Sequence, residues 1–168
     1  MTVSKMKDLF RTLTKEFFPG HTVIFSNQSR TAKPNIPLVT IAVGNVKRHR
    51  SANEIYDGDE TEGYYHTKLP LTIDLFTNGK AVVDDDTGIE VAREDTALDE
   101  MCLFADFLNS QYVTLWCNRH DVALVIDGDV IGMTGIVNDT TYEFRSRLSV
   151  NVYFTHETLG DKATHAAP

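Results

Sequence analysis

The sequence predicts an α+β fold, a mainly antiparallel or mixed sheet with a long β-hairpin, flanked by two main helices. Three observations carry this. Apolar residues recur at helical spacing in two stretches, one at the start and one past the middle. Two strand-like runs enclose a polar, acidic tip, which describes the hairpin. Near the end, apolar and polar residues alternate from Phe144 to Phe154, the period of a half-buried strand.

In the opening segment, Ser4 to Phe18, Met6, Phe10, Leu13 and Phe17 share one helix face. Ser4 is the expected N-cap, and Pro19-Gly20 ends the helix because a residue before proline leaves helical space. Val23-Ile24-Phe25 reads as a short strand, Gln28 to Pro37 as an exposed loop, and Leu38 to Val43 as a strand continuing through Val46 towards His49. A polar tip, Ser51 to Gly63, follows, and the chain returns as a strand from Tyr64 to Phe76 with Leu69, Leu71, Ile73 and Leu75 on one face. Val83 to Val91 reads as an acidic connection. A second helix is expected from about Asp95 to Leu108 with the stripe Ala97, Met101, Phe104 and Leu108, its early acids suiting the positive end of the helix dipole. Asn109-Ser110 reads as a break and a new cap before a short helix or turn through Trp116. Strands at Val122 to Ile126 and Val130 to Val137 flank an Asp127-Gly128-Asp129 turn, and a long strand runs from Thr141 to Thr155. Residues 1–159 are expected to form a single domain, with 160–168 a flexible tail.

Composition narrows the function. The 168 residues carry 16 Lys and Arg against 24 Asp and Glu, a formal charge of -8. General binding to the DNA backbone needs clustered cations, so this balance argues against it. No apolar run approaches the roughly 20 residues that cross a bilayer. Met1 to Asp8 lacks the apolar segment of a secretory signal, so a soluble, cytosolic-type chain is expected. Cys102 and Cys117 sit among apolar neighbours and read as reduced, buried small hydrophobes.

Catalytic motifs are thin. His156-Glu157-Thr158-Leu159-Gly160 begins like a zinc-hydrolase motif but lacks the second histidine. Asn78-Gly79-Lys80-Ala81 has the Gly-Lys of a phosphate loop, yet Asp74 replaces the first glycine and Ala81 the metal-binding hydroxyl. Asp84-Asp85-Asp86 lacks the alternating ligands of a calcium loop. A nuclease would have Asp74 and Lys80 as its only passable candidates. No catalytic residue, cofactor or metal site is therefore expected.

Interaction features are stronger. Lys47, Arg48 and Arg50 form a basic patch at the base of the hairpin, a few residues from the acidic tip with Asp57, Asp59 and Glu60. Ile55, Tyr56, Tyr64 and Tyr65 border that tip, and tyrosine is enriched where surfaces meet. In the last strand Arg145 and Arg147 belong to the face that is wet or meets a partner.

The arrangement resembles the neck or tail-terminator proteins of long-tailed bacteriophages over roughly residues 5 to 157. The stretches that carry the resemblance are the opening amphipathic helix, Val23 to Gln28, Lys33-Pro34 to Pro37-Leu38-Val39-Thr40, and Val46-Lys47-Arg48. They continue with Leu71 to Phe76, the helix Asp95 to Leu108 and the closing Val152-Tyr153-Phe154-Thr155. The acidic insert Val82 to Glu90 is longer than the resemblance leads one to expect. The resemblance implies a non-catalytic virion subunit, present in the host cytoplasm during assembly. It forms a ring, commonly a hexamer, where the head joins the tail. Its partners would be further copies, tail tube or sheath proteins and head-connector proteins, with DNA passing through the lumen without specific binding and no membrane involved. On that reading the basic base of one copy meets the acidic tip of its neighbour, and Lys47, Arg48, Arg50, Tyr56, Asp57, Asp59, Glu60, Tyr64, Tyr65, Arg145 and Arg147 are the candidate interface. The rival readings are a head-completion adaptor that binds the portal and a small metal-dependent nuclease or hydrolase.

Overall fold

The computed structural model describes residues 1–26, 35–49, 53–57, 60–137 and 141–157. The first helix, α1 (Val3–Phe17), begins two residues earlier than expected, because Thr2 rather than Ser4 is the N-cap and accepts the Lys5 N–H at 3.2 Å. The earlier start brings Val3 into the helix, where it packs against the core beside the buried Met6, Phe10 and Leu13.

Strands β1 (Thr22–Phe25), β2 (Leu38–Val43), β3 (Lys47–Arg48), β4 (Asn53–Asp57) and β5 (Glu60–Thr77) follow. Then come β6 (Lys80–Val83), β7 (Glu90–Glu94), α2 (Ala97–Leu108), α3 (Gln111–His120), β8 (Val122–Ile126), β9 (Ile131–Gly132), β10 (Gly135–Val137) and β11 (Thr141–Glu157). The main sheet runs β1-β2-β5-β11-β10, with β3 and β4 also on β5, and β8 and β9 also on β11. It is mixed, since β1 and β2 are parallel and the other pairs antiparallel. The fold class is the α+β one predicted.

The spine is the β5–β11 ladder, paired continuously from Phe144↔Thr77 to Glu157↔Tyr64. Leu69, Leu71, Ile73 and Leu75 of β5 and Leu148, Val150, Val152 and Phe154 of β11 turn to one face and are buried. Met101 and Phe104 of α2, Val113 and Trp116 of α3 and the α1 stripe join them in one core. Ser146 lies on this apolar face and is fully buried, its hydroxyl donating to the Ala97 carbonyl in the first turn of α2.

Several local readings change. The second strand does not continue to His49. Pro70 lacks the N–H that would continue the ladder opposite Gly44, and the register shifts by one residue between Val43↔Leu71 and Lys47↔Lys68. The hairpin ladder extends into the expected polar tip, since β4 pairs with Glu60 to Tyr64 of β5. The acidic connection is a separate two-stranded ribbon, β6 with β7. Asp84 closes its turn by accepting the N–H groups of Asp86 and Thr87. The helix α2 starts at Ala97 because Asp95 stays outside it, accepting the Ala97 N–H. Helix α3 is capped by Ser110 as expected but runs on to His120, ending where Asp121 takes a left-handed conformation, φ 53. The expected strand Val130 to Val137 is split into β9 and β10 around Met133 and Thr134. Cys102 is exposed, not buried, because it lies about 100° round the helix from the buried Met101. Cys117 is half-buried, and both thiols are free. The expected 160–168 tail lies outside the described residues.

Candidate functional site

The one-residue shift ahead of β3 decides which way the basic patch faces. Without it Lys47 would pair with Thr67, which is buried against the core; with it Lys47 pairs with Lys68 on the other face of the sheet. Two ammonium-bearing side chains therefore stand directly opposite each other, an arrangement that costs stability unless an anion lies between them. The same row continues across the sheet to Tyr153 of β11 and Ala123 of β8. Lys68 Nζ sits 5.7 Å from the centre of the Tyr153 ring.

A groove of about 610 Å³ lies at this level of the sheet on the core side, over Arg48, Thr67, Phe154 and Val122, the face opposite to that of Lys47, Lys68, Tyr153 and Ala123. The end of α3 forms the far wall with Cys117, Asn118 and Asp121, the one carboxylate on the lining. Burial pushes the Cys117 thiol above its ordinary range, against a smaller opposing contribution from the Leu124 backbone, so it stays protonated at neutral pH and is a poor nucleophile. Among the described residues neither Lys47 nor Arg48 has an ion-pair partner. The Lys47–Lys68 row, two permanent cations beside the Tyr153 ring on the face away from the core, suits a carboxylate-bearing chain with apolar side chains between its acids.

The other candidates scatter. Tyr64 and Tyr65 are half-buried on β5, opposite Glu157 and His156, with the Tyr64 ring edge-on to His66 at 6.2 Å. Tyr56 and Asp57 lie on β4, paired with Thr61 and Glu60. Arg50 and Asp59 lie outside the described residues. Arg145 and Arg147 do share the wet face, but six positions along β5 from Lys68, where they grip Asp74. Arg147 holds both carboxylate oxygens, Nε to Oδ1 at 2.7 Å and Nη2 to Oδ2 at 3.1 Å. Arg145 Nη2 reaches Oδ2 at 3.0 Å, and its guanidinium lies 5.0 Å from the Phe76 ring centre. The Asp74 hydrogen bond holds the Arg147 guanidinium above its already high range, against a smaller opposing effect of burial. Asp74, the best acid for a nuclease, is thus neutralised by two arginines. No group of three or more potential metal ligands converges among the described residues.

Sequence reasoning missed Lys68, His66 and Tyr153. Lys68 and Tyr153 occupy polar positions of the two period-two strands, so alternation marked their face. Their alignment with Lys47 depends on the shifted register, which alternation does not encode.

The sequence model of one protein family, described as phage neck terminator protein, matches residues 4–166. Among curated proteins, none matches this chain.

Proposed function

The chain belongs to the phage neck terminator protein family, a family of structural proteins of the tail-terminating neck, and on that premise we propose that it works as a subunit of a ring. Copies close head to tail, the basic Lys47–Lys68 row of each receiving an acidic segment of the next. The ring ends the tail, docks to tail tube or sheath proteins on one side and to head-connector proteins on the other, and lets DNA through its lumen. The observation that carries this is the family match over nearly the whole chain. The electrostatics support it: a formal charge of -8 per subunit, multiplied round a ring, disfavours adhesion of phosphates to the lumen. Ring closure needs two different complementary patches per copy, and an acidic chain with a local basic row supplies both. No described helix is long and apolar enough to cross a membrane.

The test is the mass of the purified protein by light scattering, with negative-stain images. A closed multiple of the 18.9 kDa subunit and rings with a hole of duplex width are the expected result. Charge reversal at Arg48 and Arg50 should lower the mass towards one subunit while the circular dichroism spectrum stays that of the folded chain. A wild-type protein that stays monomeric at high concentration, and virions that lack it, overturn the reading.

A further inference from the structure

The β6–β7 ribbon is the acidic element whose surface calls for a partner. All nine of its strand residues are exposed, among them Val82 at 41%, Val83 at 49% and Val91 at 63%, and Ile89 in its connection is 65% exposed. A two-stranded ribbon without a covered face is marginally stable in water. Two devices hold its shape locally. Asp84 accepts two backbone N–H groups and the Thr87 hydroxyl, and Arg93 bridges Glu90 and the Asn78 carbonyl. Asp85 and Asp86 at the tip make no side-chain bond of this kind. The ribbon thus presents free carboxylates ahead of a set of bare aliphatic side chains.

The Lys47–Lys68 row is its complement, with unpaired cations beside Tyr153 and Ala123 on the face of the sheet away from the core. The two surfaces cannot meet within one chain. Lys68 and Thr77, where the ribbon is rooted, are nine residues apart on the single strand β5, about 30 Å at strand rise. A four-residue ribbon strand and its turn reach only about 15 Å. Complementary patches at opposite ends of a rigid ladder define a head-to-tail contact between copies.

We infer that the β6–β7 ribbon of one subunit docks on the basic Lys47–Lys68 row of the next, with Asp85 and Asp86 placed between the two ammonium groups. This rests on the ring reading and names the acidic segment in it. The ribbon, rather than the tip of the long hairpin, takes that row. The docked carboxylates also account for the Lys47–Lys68 juxtaposition, which the isolated chain leaves uncompensated.

The experiment is charge exchange, read as the subunit concentration for half-assembly by light scattering in about 0.1 M salt. The pair Lys47→Glu with Lys68→Glu, and the pair Asp85→Lys with Asp86→Lys, should each raise that concentration about tenfold or more. The four changes together should return it to near the wild-type value. Asp84 is spared because it holds the turn. If a charge-reversed pair fails to fold, Lys68→Gln decides: it relieves the repulsion from Lys47, so the chain should melt no lower while assembly weakens. Wild-type assembly unaffected by either pair overturns the docking but leaves the ring. Loss with the lysine pair and none with the ribbon pair gives the row to another occupant, with Glu60→Lys and Glu62→Lys testing the hairpin tip, and also overturns it. Failure of the four-change variant to reassemble counts against the pairing. A monomeric wild type sinks the ring reading itself.

Discussion

At Gly79 the backbone has φ +68, and an added Cβ would lie 2.3 Å from the Glu94 carbonyl oxygen and 2.7 Å from the Phe144 ring. Gly88 and Gly128 also have positive φ, but an added Cβ would meet nothing within 4 Å. Gly79→Ala should therefore exceed the roughly 1–3 kcal/mol that backbone strain alone costs, while Gly88→Ala and Gly128→Ala stay within it. Thermal melts of the three variants check the ranking, and equal shifts would refute it. At Asp74 one carboxylate holds two guanidiniums that are 28% and 35% exposed. Asp74→Ala should cost about 1–3 kcal/mol, discounted at the upper end because water reaches both arginines. Denaturant midpoints would measure it. In the fold, the Gly-Lys of the phosphate-loop motif sits at a positive-φ glycine turn, and the candidate carboxylate Asp74 is held in an ion cluster with Arg145 and Arg147.

Among the elements, the turn between α1 and β1 carries the pH response. His21 packs on the Phe18 ring at 4.9 Å, and its Nε2 lies 3.8 Å from Glu100 Oε2 of α2, too far for a hydrogen bond. Burial lowers the His21 pKa below its ordinary value, and Glu100 offsets only part of that. The unfolded chain then binds more protons than the folded one in the window just below the ordinary histidine value of about 6.5. Stability should fall as the pH drops through that window and level off beneath the folded value. Denaturant midpoints taken between about pH 7 and 5 should show the decline, and His21→Gln should flatten it. An unchanged slope in the variant would assign the response to other groups. Helix and strand identities were legible because each rests on local spacing: the α1 stripe, the Ser110 cap and the β11 alternation all hold. The ribbon β6–β7 was not legible as an element, because a short acidic run with exposed valines has no face buried against the core to impose a period.

For the whole molecule, the arrangement is an open sheet with its helices and core on one face and a polar row on the other, the unpaired Lys47 and Lys68 towards one end of the β5–β11 ladder and an acidic ribbon at the other. An assembly held by such a contact weakens with ionic strength, since exposed charges are screened over about 8–10 Å at moderate salt. Raising sodium chloride from about 0.05 to 0.5 M should raise the concentration for half-assembly, and sedimentation velocity would detect the shift to smaller species. Salt-independent mass would instead assign the interface to apolar burial, with the exposed Leu103 and Leu115 of α2 and α3 the next surface to test.

The sequence by itself determined the α+β class, the buried stripes of the helices, the two-faced closing strand, the net acidity and the family pattern. These are properties of spacing and composition, and local periodicity writes them directly into the chain. Only the tertiary structure decided that Lys47 faces Lys68 rather than the core, that Arg145 and Arg147 pair with Asp74, and that the basic row and the acidic ribbon lie too far apart to meet within one subunit. Those outcomes depend on strand register and on residues distant in sequence, where a shift of one position at Pro70 exchanges one face of the sheet for the other.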